Sequence, residues 1–294
     1  MSLVTEATSD APVVTHHFAD VNGIRIHYAT AGQGEALLLL HGWPFTWYTW
    51  RLVLPALAQH YTVIMPDLRG LGQTSRPATG YDSRTRAADA AGLLHHLGFE
   101  QAYVVGHDLG VEVAFTLALQ YPQLVRKLVL SEAIVGGLPG AEALLQNAPW
   151  WFSFHAVPGL PETVLAGQEG TYLDWFYQYG TYQQRGIAPD ARAEYVAAYS
   201  GTAALRGGFE HYRAFPQNYQ QVVEAMAQGQ RLTCPTLAVC GNVVGDILAN
   251  QLRPVADSLE AHLLPECGHI VQEEQPEQLA HLLLAFLAEN HENH

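Results

Sequence analysis

Apolar and polar residues alternate along VVTHHFADVNGIRIHYATA, residues 13 to 31, on either side of Asn22-Gly23. Alternation of period two with an Asn-Gly pair at its centre predicts an antiparallel hairpin, since successive strand side chains face opposite ways and this pair accepts a tight turn. LLLLHGWP, YTVIMP, AYVV and KLVLSEA then form short runs that are almost wholly apolar. Such runs predict strands buried on both faces. Between them TWYTWRLVLPALAQ, the stretch from Ser83 to Leu97, and VEVAFTLALQYP carry apolar residues at helical spacing. Strand and helix in alternation predict an α/β fold with a doubly wound, mostly parallel sheet.

The pattern changes at about Ile134. From there to Gln230 no run is rich in Val and Ile, while aromatic residues crowd helical segments: APWWFSFHAV, GTYLDWFYQYGTY, AEYVAAYSG and GGFEHYRAFPQNYQQVVEAMA. Strand-like runs resume at CPTLAVCG and HLLPECGH, and PEQLAHLLLAFLAEN reads as a closing helix. The expected organisation is therefore one α/β core made of residues 1–133 and 231–294, with a helical cap, residues 134–230, inserted in it.

Composition narrows the function classes. A net charge of -14 over 294 residues gives no electrostatic footing for nucleic acid or an anionic membrane. The three cysteines, Cys234, Cys240 and Cys267, have no CxxC spacing, which disfavours a disulfide framework and a zinc site. MSLVTEATSDAPVV lacks the basic and apolar regions of an export signal, and no run approaches the roughly 18 apolar residues of a membrane helix. The expectation is a soluble cytoplasmic protein, monomer or homodimer, with no metal and no cofactor.

Candidate chemistry gathers where strands end. In an open α/β sheet ligands sit beyond the carboxyl ends of the strands. His41-Gly42-Trp43-Pro44, Asp108, Glu132 and Gly268-His269 all fall at such ends. GHDLG, residues 106 to 110, joins a strand directly to a helix with small residues around Asp108, the pattern of a nucleophile elbow. A carboxylate there suits attack at a saturated carbon, whereas a serine suits an acyl carbonyl. His107 beside it reads as a support and not as a base.

HGWP, PDLRGLGQTSRP, GHDLG and CGH together resemble the α/β-hydrolase superfamily, and within it the epoxide hydrolase and haloalkane dehalogenase branch with an aspartate nucleophile. The resemblance runs from about Phe18 to Leu287. It implies that Asp108 forms an alkyl-enzyme ester, that His269 activates the water that cleaves it, and that the N–H groups of Trp43 and Leu109 form the oxyanion hole. Two carboxylates compete as partner of His269: Glu132, after the strand that follows the nucleophile helix, and Asp246, in CGNVVGDIL. Glu132 is favoured, because Asp246 stands two positions later than the spacing usual in that branch.

Within this branch Tyr212, in FEHYRAF, matches a cap tyrosine that donates a proton to an epoxide oxygen. A second cap donor is expected at Trp151 or His155. Where some relatives read Trp-His, this chain reads Trp150-Trp151-Phe152. Leu109 stands where many haloalkane dehalogenases have tryptophan, and the arginine-bearing elbow typical of fluoroacetate dehalogenases is absent. The implied activity is hydrolysis of small or medium apolar epoxides to vicinal diols. The alternatives are a haloalkane or haloacid dehalogenase on the same nucleophile, and a non-catalytic ligand-binding protein of the same fold.

Overall fold

A computed structural model describes residues 12–142 and 148–288. The signal-free reading of the first residues and the last two positions of the closing helix lie outside that range. The hairpin forms as β1, Thr15–Val21, and β2, Ile24–Ala31, with Asn22 and Gly23 both at positive φ (49° and 75°). β3, Glu35–Leu40, leads to a 3-10 turn at Trp47–Trp50 and then to α1, Leu54–Leu57. One continuous helix is predicted over this stretch, and the difference traces to Pro55. Proline lacks the N–H an interior helical residue donates, so it sits in the first turn of a new short helix.

The next elements are β4, Tyr61–Pro66; α2, Ser83–His96; β5, Ala102–His107; α3, Leu109–Gln120; and β6, Val125–Ser131. Six helices are then described: α4, Trp150–Ala156; α5, Leu160–Leu165; α6, Glu169–Tyr179; α7, Pro189–Ala198; α8, Thr202–Arg213; and α9, Phe215–Ala227. The chain returns through β7, Thr236–Cys240; α10, Ile247–Leu252; β8, Leu259–Leu263; α11, Val271–Glu274; and α12, Pro276–Ala288. The sequence places the last strand at HLLPECGH. The observed strand stops at Leu263, before Pro265, and Cys267 to His269 form a loop beyond it.

These strands make one eight-stranded sheet in the order β1-β2-β4-β3-β5-β6-β7-β8, parallel from β4 to β8. Successive residues of β3 serve opposite faces. Leu38 and Leu40 join the core containing α2 and α3, and Leu37 and Leu39 join the one containing α1 and α12. The chain reverses direction across the sheet at β3, with β4 on one side and β5 on the other. The crevice at that switch point opens beyond Leu40 and His107. Among the described residues no helix is long and apolar enough to cross a membrane.

Candidate active site

Asp108 sits between β5 and α3 at φ 54°, ψ -123°, a strained backbone for a residue with a Cβ. Its neighbours make that turn possible. A Cβ on Gly106 would lie 2.5 Å from the Gly110 carbonyl, and one on Gly110 would lie 2.2 Å from the Leu40 carbonyl. Only glycine lets strand and helix approach so closely, and the turn projects Asp108 over the end of β3. A Cβ on Gly42 would fall 1.9 Å from Asp108 Oδ1, so the loop after β3 closes directly on the carboxylate.

That loop aims a donor at the carboxylate. His41 is buried; its Nδ1–H donates to the Gly42 carbonyl (2.8 Å), and its Nε2 accepts from the Leu68 N–H (3.2 Å). Gly42 C=O and Trp43 N–H belong to one planar trans peptide, so they point in opposite directions. With the carbonyl turned to His41, the Trp43 N–H reaches Asp108 Oδ1 at 2.8 Å. The Leu109 N–H adds a second favourable contact to the same carboxylate. Buried Asp67 steadies the loop, accepting from Trp47 N–H (2.9 Å), His27 Nδ1–H (2.7 Å) and Gln73 N–H (2.9 Å).

His269 Nε2 lies 3.4 Å from Asp108 Oδ2, and its Nδ1 lies 3.2 Å from Glu132 Oε2. Glu132, at the end of β6 and also at positive φ (56°), has no exposed side-chain surface, and its Oε1 accepts the Gly241 N–H at 2.5 Å. Asp246 is exposed at the start of α10. Between the two candidate acids, the one that meets His269 is therefore Glu132. The Asp108 and His269 side chains are not wholly covered, keeping about a fifth of their surface (20% and 22%).

The loop carrying His269 is held from several directions. His107 Nε2–H donates to the His269 carbonyl (2.8 Å), and the His269 N–H donates to the Gly180 carbonyl (2.6 Å). Glu274 accepts from Gly268 N–H (3.0 Å), Ile270 N–H (3.3 Å) and Tyr182 N–H (2.7 Å). Burial drives the His107 pKa down to about 3, so its ring is neutral and acts as a brace.

Charge is balanced across this cluster. Burial alone would raise the Asp108 pKa, but the hydrogen bond and charge of His269 outweigh it and hold the carboxylate below its usual range. For His269 burial lowers the pKa, and the Asp108 and Glu132 carboxylates overcome it and push the value up to about 10. The resting histidine is an imidazolium between two carboxylates. Its contribution to stability is complete below the ordinary histidine value and is lost as pH rises through its raised one. Replacing Asp108 by asparagine is expected to lower the His269 pKa, read from its ring signals by NMR across pH 5 to 11. A midpoint equal to that of the unaltered protein would contradict the pairing.

Above the carboxylate, aromatic side chains from α4, α6 and α8, with Tyr199 just after α7, surround the Trp43 indole. The ring of buried Tyr212 on α8 stands edge-on to it at 5.7 Å. Among the described residues the Tyr212 hydroxyl has no hydrogen-bond partner. Burial, and then the Asp108 charge, push its pKa well above the ordinary value, so it carries its proton at all working pH. His155 is also buried, 4.4 Å from the Tyr212 ring and stacked on Phe209 at 4.2 Å. Its Nε2 is 2.5 Å from the Tyr172 hydroxyl, its Nδ1 has no partner among the described residues, and burial drives its pKa down to about 3. Trp151 is half-buried further out, against Trp175, Phe176 and Tyr179.

Sequence reasoning misses Tyr172 and Glu274. Tyr172 is one of 14 tyrosines, and nothing in GTYLDWFYQY sets it apart before α4 and α6 are packed. Glu274 had a weak signal, an acidic residue shortly after the loop histidine, at a spacing that returns it to that loop.

Comparison with known proteins gives a consistent result. A family model described as the alpha/beta hydrolase fold matches residues 35–276. A soluble epoxide hydrolase of Corynebacterium sp. (strain C12) is 38% identical over 293 residues, covering 94% of this chain and 98% of that protein. A fluoroacetate dehalogenase of a Burkholderia species is 29% identical, covering 92% of each. The solved structure of the epoxide hydrolase CorEH without ligand superposes with a TM-score of 0.85 at 37% identity, covering 94% of this chain and 99% of that one.

Proposed function

The chain belongs to the α/β-hydrolase fold family and is a hydrolase, and from that premise we propose that it converts apolar epoxides to vicinal diols through an ester on Asp108. The observation that carries this reading is the phenol of Tyr212. It is buried and protonated, its hydroxyl has no partner among the described residues, and its ring stands edge-on to that of Trp43, whose backbone N–H meets the nucleophile. An epoxide oxygen leaves as an alkoxide and needs a proton donor, which Tyr212 supplies. A halide leaves without one.

In the proposed cycle Asp108 Oδ2 attacks a ring carbon, the C–O bond breaks, and the freed oxygen takes the Tyr212 proton. Alkylation removes the Asp108 charge that held His269 protonated, so the imidazolium gives up its proton, which restores the Tyr212 phenol, and the neutral ring becomes a base. His269 Nε2 then takes a proton from water, and the hydroxide adds to Asp108 Cγ. The negative charge collects on Oδ1, which the Trp43 N–H meets, with the Leu109 N–H as the second donor to the group, each such donor being worth about 3 to 4 kcal/mol in a comparable hydrolase. Collapse breaks the Cγ–Oδ2 bond, the departing alkoxide takes from His269 the proton that came from water to complete the diol, the carboxylic acid left on Asp108 returns its proton to His269, and Glu132 holds the imidazole orientation throughout. Helices α4 to α9, within residues 134–230, serve as the cap that shuts this site over a small apolar substrate and water.

The identity to a fluoroacetate dehalogenase keeps carbon–halogen cleavage as a second reading. Styrene oxide and 1-bromobutane separate the two. Diol from the first with no bromide from the second is expected, and bromide without diol would overturn the proposal.

A further inference from the structure

His107 has two ring nitrogens and one proton to place, because burial keeps its ring neutral. Its Nε2 stands 2.8 Å from the His269 carbonyl, which can only accept. The proton is therefore on Nε2. That leaves Nδ1 as a buried lone pair in need of a donor, since an unmet buried acceptor is destabilising.

The donor comes from α11. Gln272 has no exposed surface, and its Nε2 lies 2.7 Å from Thr49 Oγ1 and 3.4 Å from His107 Nδ1. A glutamine NH2 group has two hydrogens, one for each neighbour. Among the described residues no other donor meets Nδ1, and the indole N–H of nearby Trp50 has no partner. Turning the amide over would suit Thr49 equally well, because a hydroxyl both accepts and donates. It would fail at His107, where the amide oxygen would face a lone pair. One orientation of Gln272 thus goes with one tautomer of His107, and only that tautomer ties down the His269 carbonyl.

The tie bears on the base directly. The His269 backbone is held on two sides, its N–H by the Gly180 carbonyl after α6 (2.6 Å) and its C=O by His107 (2.8 Å). From that backbone the imidazole reaches Asp108 at 3.4 Å and Glu132 at 3.2 Å. We propose that Gln272 is a positioning residue for the general base: by donating to His107 Nδ1 it fixes the tautomer whose Nε2–H holds the His269 backbone, and with it the imidazole between Asp108 and Glu132. The base's part in the reaction rests on the Asp108 ester reading, and the tautomer rests on the hydrogen-bond geometry.

Gln272→Glu replaces the donor by a group that only accepts. In the still buried and neutral ring the proton is expected to move to Nδ1, which nitrogen-15 signals of labelled histidine read directly. Ester hydrolysis after a pulse of styrene oxide is expected to slow about hundredfold, the effect of an ångström-scale displacement of a reacting group. Ester formation, which needs no base, keeps its rate. Gln272→Met fills similar space and neither donates nor accepts, so the His269 carbonyl alone keeps the proton on Nε2 and the loss is smaller. Equal losses in the two variants would make Gln272 a packing residue and overturn the proposal. So would a proton kept on Nε2 in Gln272→Glu, or one found on Nδ1 in the unaltered protein, a measurement for which no variant has to fold. If the unaltered protein forms no ester, the covalent reading fails, and hydrogen exchange at the His269 N–H decides the positioning in its place. Lost protection in Gln272→Glu supports it, and unchanged protection overturns it.

Discussion

Replacing His269 by glutamine is expected to give a protein that opens one epoxide and then stops. Attack by Asp108 on the oxirane needs no base, so the ester still forms, while its hydrolysis loses the group that takes a proton from water. Steady turnover falls by about a thousandfold, within the range general-base removal produces. Intact-mass measurement after mixing with styrene oxide is expected to find the protein heavier by one substrate. The same treatment of Asp108→Asn leaves the mass unchanged. Full turnover in the His269 variant, or an adduct in the Asp108 variant, would assign the chemistry elsewhere.

Replacing Glu132 by glutamine has an effect of similar size for a different reason. The buried carboxylate accepts from His269 Nδ1 at 3.2 Å and from Gly241 N–H at 2.5 Å. An amide can keep the second contact through its carbonyl. Its NH2 group then faces Nδ1, which favours the tautomer protonated on Nε2. That ring presents a proton to Asp108 and cannot accept one from water. Turnover is expected to drop by about 10⁴-fold, the loss seen when the acid of a catalytic triad becomes an amide. Asp246→Asn, altering an exposed residue away from His269, keeps its activity. Equal losses in the two variants, or loss only in the second, would reassign the acid.

Much of this site is legible in the sequence because local rules fix it. GHDLG must turn sharply between a buried strand and an apolar helix, and only glycine allows the approach of residue 110 to the Leu40 carbonyl. Asn22-Gly23 likewise sets its hairpin from local backbone preference. Where contacts between distant segments decide, the sequence says less. Glu132 and Asp246 are both carboxylates after strands, and only the packing of β6 beside β7 puts the first against Nδ1. Tyr172 and His155 lie on separate helices that meet only once folded. Residues 47 to 58 have helical spacing throughout, yet Pro55 divides them, a case of one backbone constraint overriding a periodic pattern.

An ester on Asp108 requires that one of its carboxylate oxygens be exchanged in every cycle. It is tested by letting the protein turn over styrene oxide once in oxygen-18 water and sequencing the peptide that contains Asp108 by mass spectrometry. One heavy oxygen on Asp108 and an unlabelled first diol are expected, because the oxygen that leaves with the product is the protein's own Oδ2. A labelled diol with unlabelled Asp108 would mean that water attacks the epoxide directly, and would contradict the covalent ester.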